Sequence, residues 1–358
     1  MVFAASMLAA CGGSNPGSGS AKVAPDATKL TTAIRGVMAK ASIPGAIVGV
    51  WRKGDQPYVQ AFGVRDTQTR QPMATDLYMR IGSETKTFTI TALLQLVDQG
   101  KVGLDDPIGK YITGVPDGNV VTIRQLAEMR SGLASYTVNP AFVTKLQADP
   151  RAAWTPPELL SYAFSQPALF APGSSFNYSN TNTVLLGLVV EKLSGQALHT
   201  YIEQHILVPE HLNHTSFPTD ASFPTPYAHG YTQQTPDGHT ADATDWNPSW
   251  GWAAGAMVSD LSDLHAWAKI LATGGLLKPA TQVEREKFLT AQGMGTAGYG
   301  LGMFSVGGWI GHNGSLPGYQ TAAVYLPAQQ ATMVVLVNSD TPYQGSPLST
   351  LLADAITH

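Results

Sequence analysis

Three short segments of this 358-residue chain carry side chains whose types and spacing suit chemistry. Ser83-Glu84-Thr85-Lys86 is the only place where a serine stands three positions before a lysine. A serine hydroxyl is a poor nucleophile near neutral pH and needs a base within hydrogen-bond reach. If Ser83 starts a helix, Lys86 lies one turn on, on the same face. The positive helix N-terminus and burial both disfavour its ammonium form, so the pair reads as a nucleophile with its base. Phe176-Asn177-Tyr178-Ser179-Asn180 holds the only Tyr-x-Asn, and Gly311-His312-Asn313-Gly314-Ser315 places a histidine beside small residues late in the chain.

One other cluster carries less. His205, Glu210, His211 and His214 are metal-ligand types, but Pro209 interrupts them and no second cluster completes a sphere, so a surface loop is expected and no metal. Gly-x-Ser-x-Gly, the nucleophile elbow of another hydrolase fold, does not occur.

The elements that must position these residues follow from periodicity and breakers. Thr28 to Ala41 predicts a helix ended by Ile43-Pro44, and Ala46 to Lys53 with Pro57 to Val64 predicts a hairpin around Gly54-Asp55-Gln56. Ser83 to Gln99 predicts a helix capped at Gly100. Short helices follow at Thr122 to Met129, Pro157 to Ser165, Thr181 to Leu193, Ala197 to His205 and Ser259 to Ala272. Gly308 to Gly311, Gln320 to Leu326 and Ala331 to Asn338 are strand-like, and Leu348 to Ile356 is a closing helix. Strands at both ends with helices between them argue for an α/β (α+β) chain. Its antiparallel sheet would be assembled from both termini and flanked by helices, around an inserted, mostly helical domain. The expected division is 1–27 as leader and linker, 28–85 with 255–358 as the sheet domain, and 86–254 as the insertion.

Composition narrows the function classes. Hydrophobic residues make up 44%, enough for a large core, and charged residues only 13%, against roughly 25% in an average soluble protein. The net charge is −4 and no basic run occurs, which removes nucleic acid as a partner. Apolar runs in the body, such as Val184 to Val190, are far shorter than the ~18 residues of a spanning helix. The single cysteine, Cys11, follows an apolar stretch and precedes a Gly/Ser-rich linker. Leu8-Ala9-Ala10-Cys11 resembles the lipobox of bacterial lipoproteins. That resemblance implies export to the cell envelope, either periplasmic or tethered to the outer face of a membrane through lipid on Cys11.

Ser-x-x-Lys, Tyr-x-Asn and His-x-Gly, in this order and at these separations, resemble the serine penicillin-recognising family: class C β-lactamases, D-alanyl-D-alanine carboxypeptidases and related esterases. Leu126 to Leu133, Gly255 to Ser259 with Asp263-Leu264, and Tyr299 to Gly302 are similar to further segments of that family. The resemblance implies an acyl-enzyme formed on Ser83, with Lys86 as base or proton shuttle and no cofactor. It makes Tyr178 a second base whose phenol pKa is lowered by nearby positive charge, and Asn180 a donor to the substrate amide. His312 stands where many relatives have lysine. Gly314 and Ser315 border the substrate, and the Ser83 and Ser315 N–H groups form an oxyanion hole.

The expected substrate is a cell-wall peptide ending in D-Ala-D-Ala or a β-lactam. A short acyl ester is the alternative, and a non-catalytic wall-binding or β-lactam-sensing lipoprotein is the alternative of another class. The chain departs from the carboxypeptidase pattern because no arginine follows Arg285. Arg130 and His312 are the cationic candidates for a substrate carboxylate, Arg130 having a salt bridge to Glu128 as its structural alternative. Trp252, with Trp246 and Trp250, is a candidate wall for an acyl group.

Overall fold

The computed structural model describes residues 27–290 and 297–357. Cys11 and its flanking segments lie outside the described residues. Helix α1, Ala27–Ala41, buries Leu30, Ile34 and Met38 at four-residue spacing and ends before Pro44. Strands β1, Gly45–Arg52, and β2, Tyr58–Gly63, form the expected hairpin, with Val48 opposite Gln60. Helix α2, Thr85–Asp98, is buried nearly all round, Phe88, Ile90, Leu93 and Leu94 included, as a central helix must be.

Around it lie α3, Ile123–Ala127, α4, Pro140–Ala148, α5, Pro156–Phe164, α6, Asn180–Ser194, and α7, Leu198–Ile202. The start of α3 is fixed by a capping box between Thr122 and Gln125. Helices α8, Leu261–Thr273, and α9, Pro279–Arg285, lead back to the sheet. Then come β3, Leu289–Thr290, β4, Gly298–Tyr299, β5, Phe304–Val306, β6, Trp309–Leu316, β7, Tyr319–Leu326, β8, Ala331–Val337, and α10, Leu348–Thr357.

These strands make one eight-stranded antiparallel sheet in the order β2-β1-β8-β7-β6-β5-β4-β3. The first strand pairs with the last, Ile47 against Leu336, so the sheet is indeed built from both ends of the chain. Strands β1 and β8 are covered on both faces, which is why they read as continuous apolar runs. Ala46, Val48, Val335 and Val337 pack with α1 and α10, while Ile47, Val334 and Leu336 pack towards α8 and α2.

Two local expectations change. Ser83 does not open the α-helix but sits in the 3-10 turn Gly82–Glu84 just before α2. The strand expected over Gly308 to Gly311 runs on through the His312-Asn313-Gly314-Ser315 segment, because β7 supplies ladder partners: Ala323 opposite His312 and Gln320 opposite Ser315.

Candidate active site

The nucleophile turn lies directly on β6. Gly82 adopts φ +53°, and a Cβ there would stand 2.8 Å from the Ser315 backbone nitrogen. A Cβ on Gly314 would stand 1.9 Å from the Ile81 carbonyl oxygen. Only glycine at both positions lets the two backbones approach this closely. The contact sets the nucleophile turn against the Ser315 backbone nitrogen.

Lys86, in the first turn of α2, is fully buried, with Nζ 2.9 Å from Ser83 Oγ and donating to the Ala254 carbonyl at 2.8 Å. Burial holds its pKa well below the ordinary lysine value. It is therefore suited to accept the Ser83 proton, as expected from the Ser-x-x-Lys spacing.

Tyr178 closes the other side of Ser83. Its ring faces Lys86 Nζ at 4.9 Å, and its hydroxyl approaches Ser83 without a well-aligned partner of its own. Here the expected pKa direction is reversed. Burial is the dominant influence and pushes the phenol up, Glu84 adds to the rise, and only the approach to Ser83 opposes it. The cationic neighbour the expectation needed is Lys86, whose own charge burial disfavours. Burial thus favours the neutral phenol at Tyr178.

His312 is also corrected. It is completely buried and does not line the cleft; it packs behind Tyr178, ring centroids 6.0 Å apart, and against Phe304. Its Nδ1–H donates to the Asn313 carbonyl, which leaves Nε2 to accept the Tyr299 hydroxyl at 3.1 Å. Burial and the nearby Lys86 push its pKa down to about 3. Its burial favours the neutral form, and it packs against Tyr178 from within β6.

The cleft has a volume of about 640 Å³. Ser83, Tyr178, Asn180, Asn313, Gly314 and Ser315 all line it, as expected of the three motifs. Asn180 is held in place by its Nδ2–H, which donates to Thr137 Oγ1 at 3.1 Å, and its backbone N–H, which donates to Ser135 Oγ at 3.2 Å.

Two expected residues lie elsewhere. Arg130 donates to the Gly173 carbonyl and borders a separate small pocket with Glu128 and Phe176, so it is neither at the cleft nor ion-paired to Glu128. Trp252, with a backbone φ of +34°, turns its ring onto Gly187 of α6, and the cleft wall is made instead by Trp250 and Tyr136. Tyr136 donates its hydroxyl to the Trp250 carbonyl at 2.7 Å.

Sequence reading missed Tyr136, Tyr299, Gln320 and Asp340, whose side chains meet the site only through the sheet and loop packing. His214 does not join His205, Glu210 or His211. It meets Asp260 at 2.9 Å beside Asp263, three groups whose donor atoms lie within 4.8 Å of one another. Asp260 already caps α8, and Asp263 accepts from the His214 backbone and Thr215.

A Beta-lactamase family model matches residues 30–356. Protein flp of Staphylococcus aureus (strain MRSA252) is 26% identical over 345 residues, covering 92% of this chain; the chain spans 66% of that protein's length. Among solved structures, a D-stereospecific amidohydrolase from Streptomyces sp. superposes with a TM-score of 0.83 at 32% identity, covering 92% of this chain and 98% of that one. A D-amino acid amidase from Ochrobactrum anthropi SV3, complexed with D-phenylalanine, superposes with a TM-score of 0.79 at 25% identity, covering 92% and 99%.

Proposed function

The chain belongs to the beta-lactamase family, and from that premise we propose that it is a serine hydrolase that opens amides of D-configured acyl groups through an acyl-enzyme on Ser83. The observation that carries the proposal is Lys86, a buried amine 2.9 Å from the nucleophile and shifted towards its neutral form. The similarity to a D-stereospecific amidohydrolase and to a D-amino acid amidase supports the acyl configuration.

The steps balance as follows. Lys86 takes the Ser83 proton as Oγ attacks the amide carbonyl, and the carbonyl oxygen turns to the N–H groups of Ser83 and Ser315. Tyr178 gives its phenolic proton to the leaving nitrogen as the C–N bond breaks, and the proton held by Lys86 restores the phenol. Water then repeats the sequence on the acyl ester, losing its proton to Lys86, and Ser83 Oγ is reprotonated as the acid leaves.

A D-alanyl-D-alanine carboxypeptidase role fits less well. A free terminal carboxylate in the cleft needs a charge-assisted partner, yet Arg130 borders another pocket and His312 is neutral. Activity on D-amino acid amides, D-Ala-D-Ala peptides, β-lactams and short esters, compared per active site, tests the reading. It requires the D-amides to be turned over faster than their L-isomers and faster than the free-acid peptides. L-preference, or fastest turnover of the free-acid peptides, would reject it.

Export and lipid attachment at Cys11 remain a proposal from Leu8 to Cys11 alone. A diacylglycerol-sized mass on the peptide beginning at Cys11, lost in Cys11→Ala, is the expected result after bacterial expression. An unmodified Cys11 would reject it.

A further inference from the structure

The cleft is asymmetric in polarity. One wall is aromatic, Tyr136 with Trp250, next to Asn180. The other is polar, Gln233, Gln234, Gln320 and Thr341 around Asp340, and among the described lining residues Asp340 is the sole charged side chain.

Asp340 is 5% exposed and rigidly held. One carboxylate oxygen accepts the Gly318 N–H at 3.1 Å and the other accepts the Gln234 amide, while its backbone carbonyl takes Gln320 Nε2–H at 3.2 Å. The Thr232 hydroxyl is a third donor to the carboxylate; a carboxylate offers about four acceptor positions, so these donors orient the group and leave it capacity for one more. Gly318 lies in the turn that follows Ser315 on β6, and Gln320 is directly opposite Ser315 on β7. Val337 of β8 is in turn opposite Gln320, so the Asp340 backbone, three residues past Val337, lies about two strand spacings, on the order of 10 Å, from Ser315, and its carboxylate reaches back as far as the Gly318 N–H in the turn beyond Ser315. That is too far for an ammonium on the α-carbon of the acyl group, which lies about two bonds from the scissile carbonyl. It suits a group carried by the leaving amine, with the acyl side chain on the aromatic wall.

Building on the acyl-enzyme reading above, we propose that Asp340 is a specificity-determining residue that selects substrates whose leaving amine carries a second, cationic group, such as a diamine or a basic residue without a free carboxylate. Burial raises the Asp340 pKa and the Gly318, Gln234 and Thr232 donors oppose that rise. An ammonium brought against the group favours its charged form and makes a charge-assisted hydrogen bond, whereas a leaving group ending in a carboxylate finds no such partner and meets a desolvation penalty.

Three amides of N-acetyl-D-alanine with leaving amines of matched length test this: 3-aminopropylamine (cationic), butylamine (neutral) and 4-aminobutyrate (anionic). Rates are expressed per active site, titrated by acylation of Ser83. In the wild type, kcat/KM is expected to fall from cationic to neutral by about ten- to a hundredfold, and further for the anionic amide. Asp340→Asn, whose amide is accommodated by a flip of the Gln234 carboxamide, is expected to compress the cationic-to-neutral ratio towards one, and Asp340→Glu to restore part of it. Equal rates for the cationic and neutral amides in the wild type would overturn the inference while leaving the hydrolase reading intact. So would an ordering that survives unchanged in Asp340→Asn. No acyl adduct on Ser83 from any of the three would overturn the hydrolase reading and the inference with it.

Discussion

Glu84 Oε1 accepts the backbone N–H of Ala323 at 2.9 Å, which ties the nucleophile turn to the strand residue directly opposite His312. The carboxyl is fully buried and its second oxygen has no partner. Burial therefore raises its pKa well above the ordinary glutamate value, and the single bond from Ala323 only partly offsets this. In the native state burial favours the neutral form of Glu84, which lies between the nucleophile turn and β7.

That raised pKa fixes the sign of a stability effect. A carboxyl that ionises more easily in the unfolded chain than in the native one contributes stability in full below the unfolded value of about 4.3, and the contribution is lost as pH rises through the native value. Glu84→Gln keeps the acceptor for Ala323 and removes the titration. Thermal midpoints measured from pH 4 to pH 8 should fall more steeply with pH in the wild type than in Glu84→Gln. Parallel curves would show that Glu84 is not a buried neutral acid.

The directions for Lys86 and Tyr178 set the pH profile of catalysis. Lys86 must be neutral to accept a proton, so kcat/KM should rise with pH through its depressed pKa and level off below the ordinary lysine range. Tyr178 must stay protonated, and because its pKa is raised the plateau should extend beyond the ordinary tyrosine value. Tyr178→Phe should slow amide hydrolysis by about 10²-fold or more, and activated esters less, because an ester with a good leaving group needs little protonation. Equal losses on both substrates would contradict the proton-donor role.

His312 should be silent in the range where histidine ordinarily titrates. With its pKa pushed down to about 3, the Nδ1–H tautomer persists from pH 5 to pH 8. Imidazole NMR resonances assigned by comparison with His312→Gln should not move across that interval. A midpoint near 6.5 would mean that the ring is solvated or differently placed.

Much of this arrangement was legible in the sequence where one physical cause dominates. The strands of Ala46 to Lys53 and Ala331 to Asn338 are apolar because both faces are buried, and Ser83 meets Lys86 because three residues of helical backbone bring them together. Legibility fails where long-range packing decides. His312 to Ser315 shows no apolar alternation, yet it is strand because β7 pairs with it. Gly82 takes a positive φ that no local pattern announces, and the turn it opens is 3-10 rather than α.

Residue type also misleads within the site. Trp250 and Trp252 are equal candidates by composition, and only the backbone turn at Trp252 sends one ring to the cleft and the other to α6. Arg130 and Asp340 show the same limit for charge. The cation stands next to a motif and lies outside the cleft, whereas the carboxylate follows a plain hydrophobic strand and enters it.

The account turns on a covalent intermediate at Ser83, and rapid-quench intact mass spectrometry during turnover of a D-amino acid amide, with peptide mapping, measures it directly. The predicted result is one acyl group per chain on the peptide containing Ser83, absent in Ser83→Ala, which should retain the wild-type unfolding temperature while losing hydrolysis. An acyl group mapped to another residue, or hydrolysis that continues in Ser83→Ala, would contradict it.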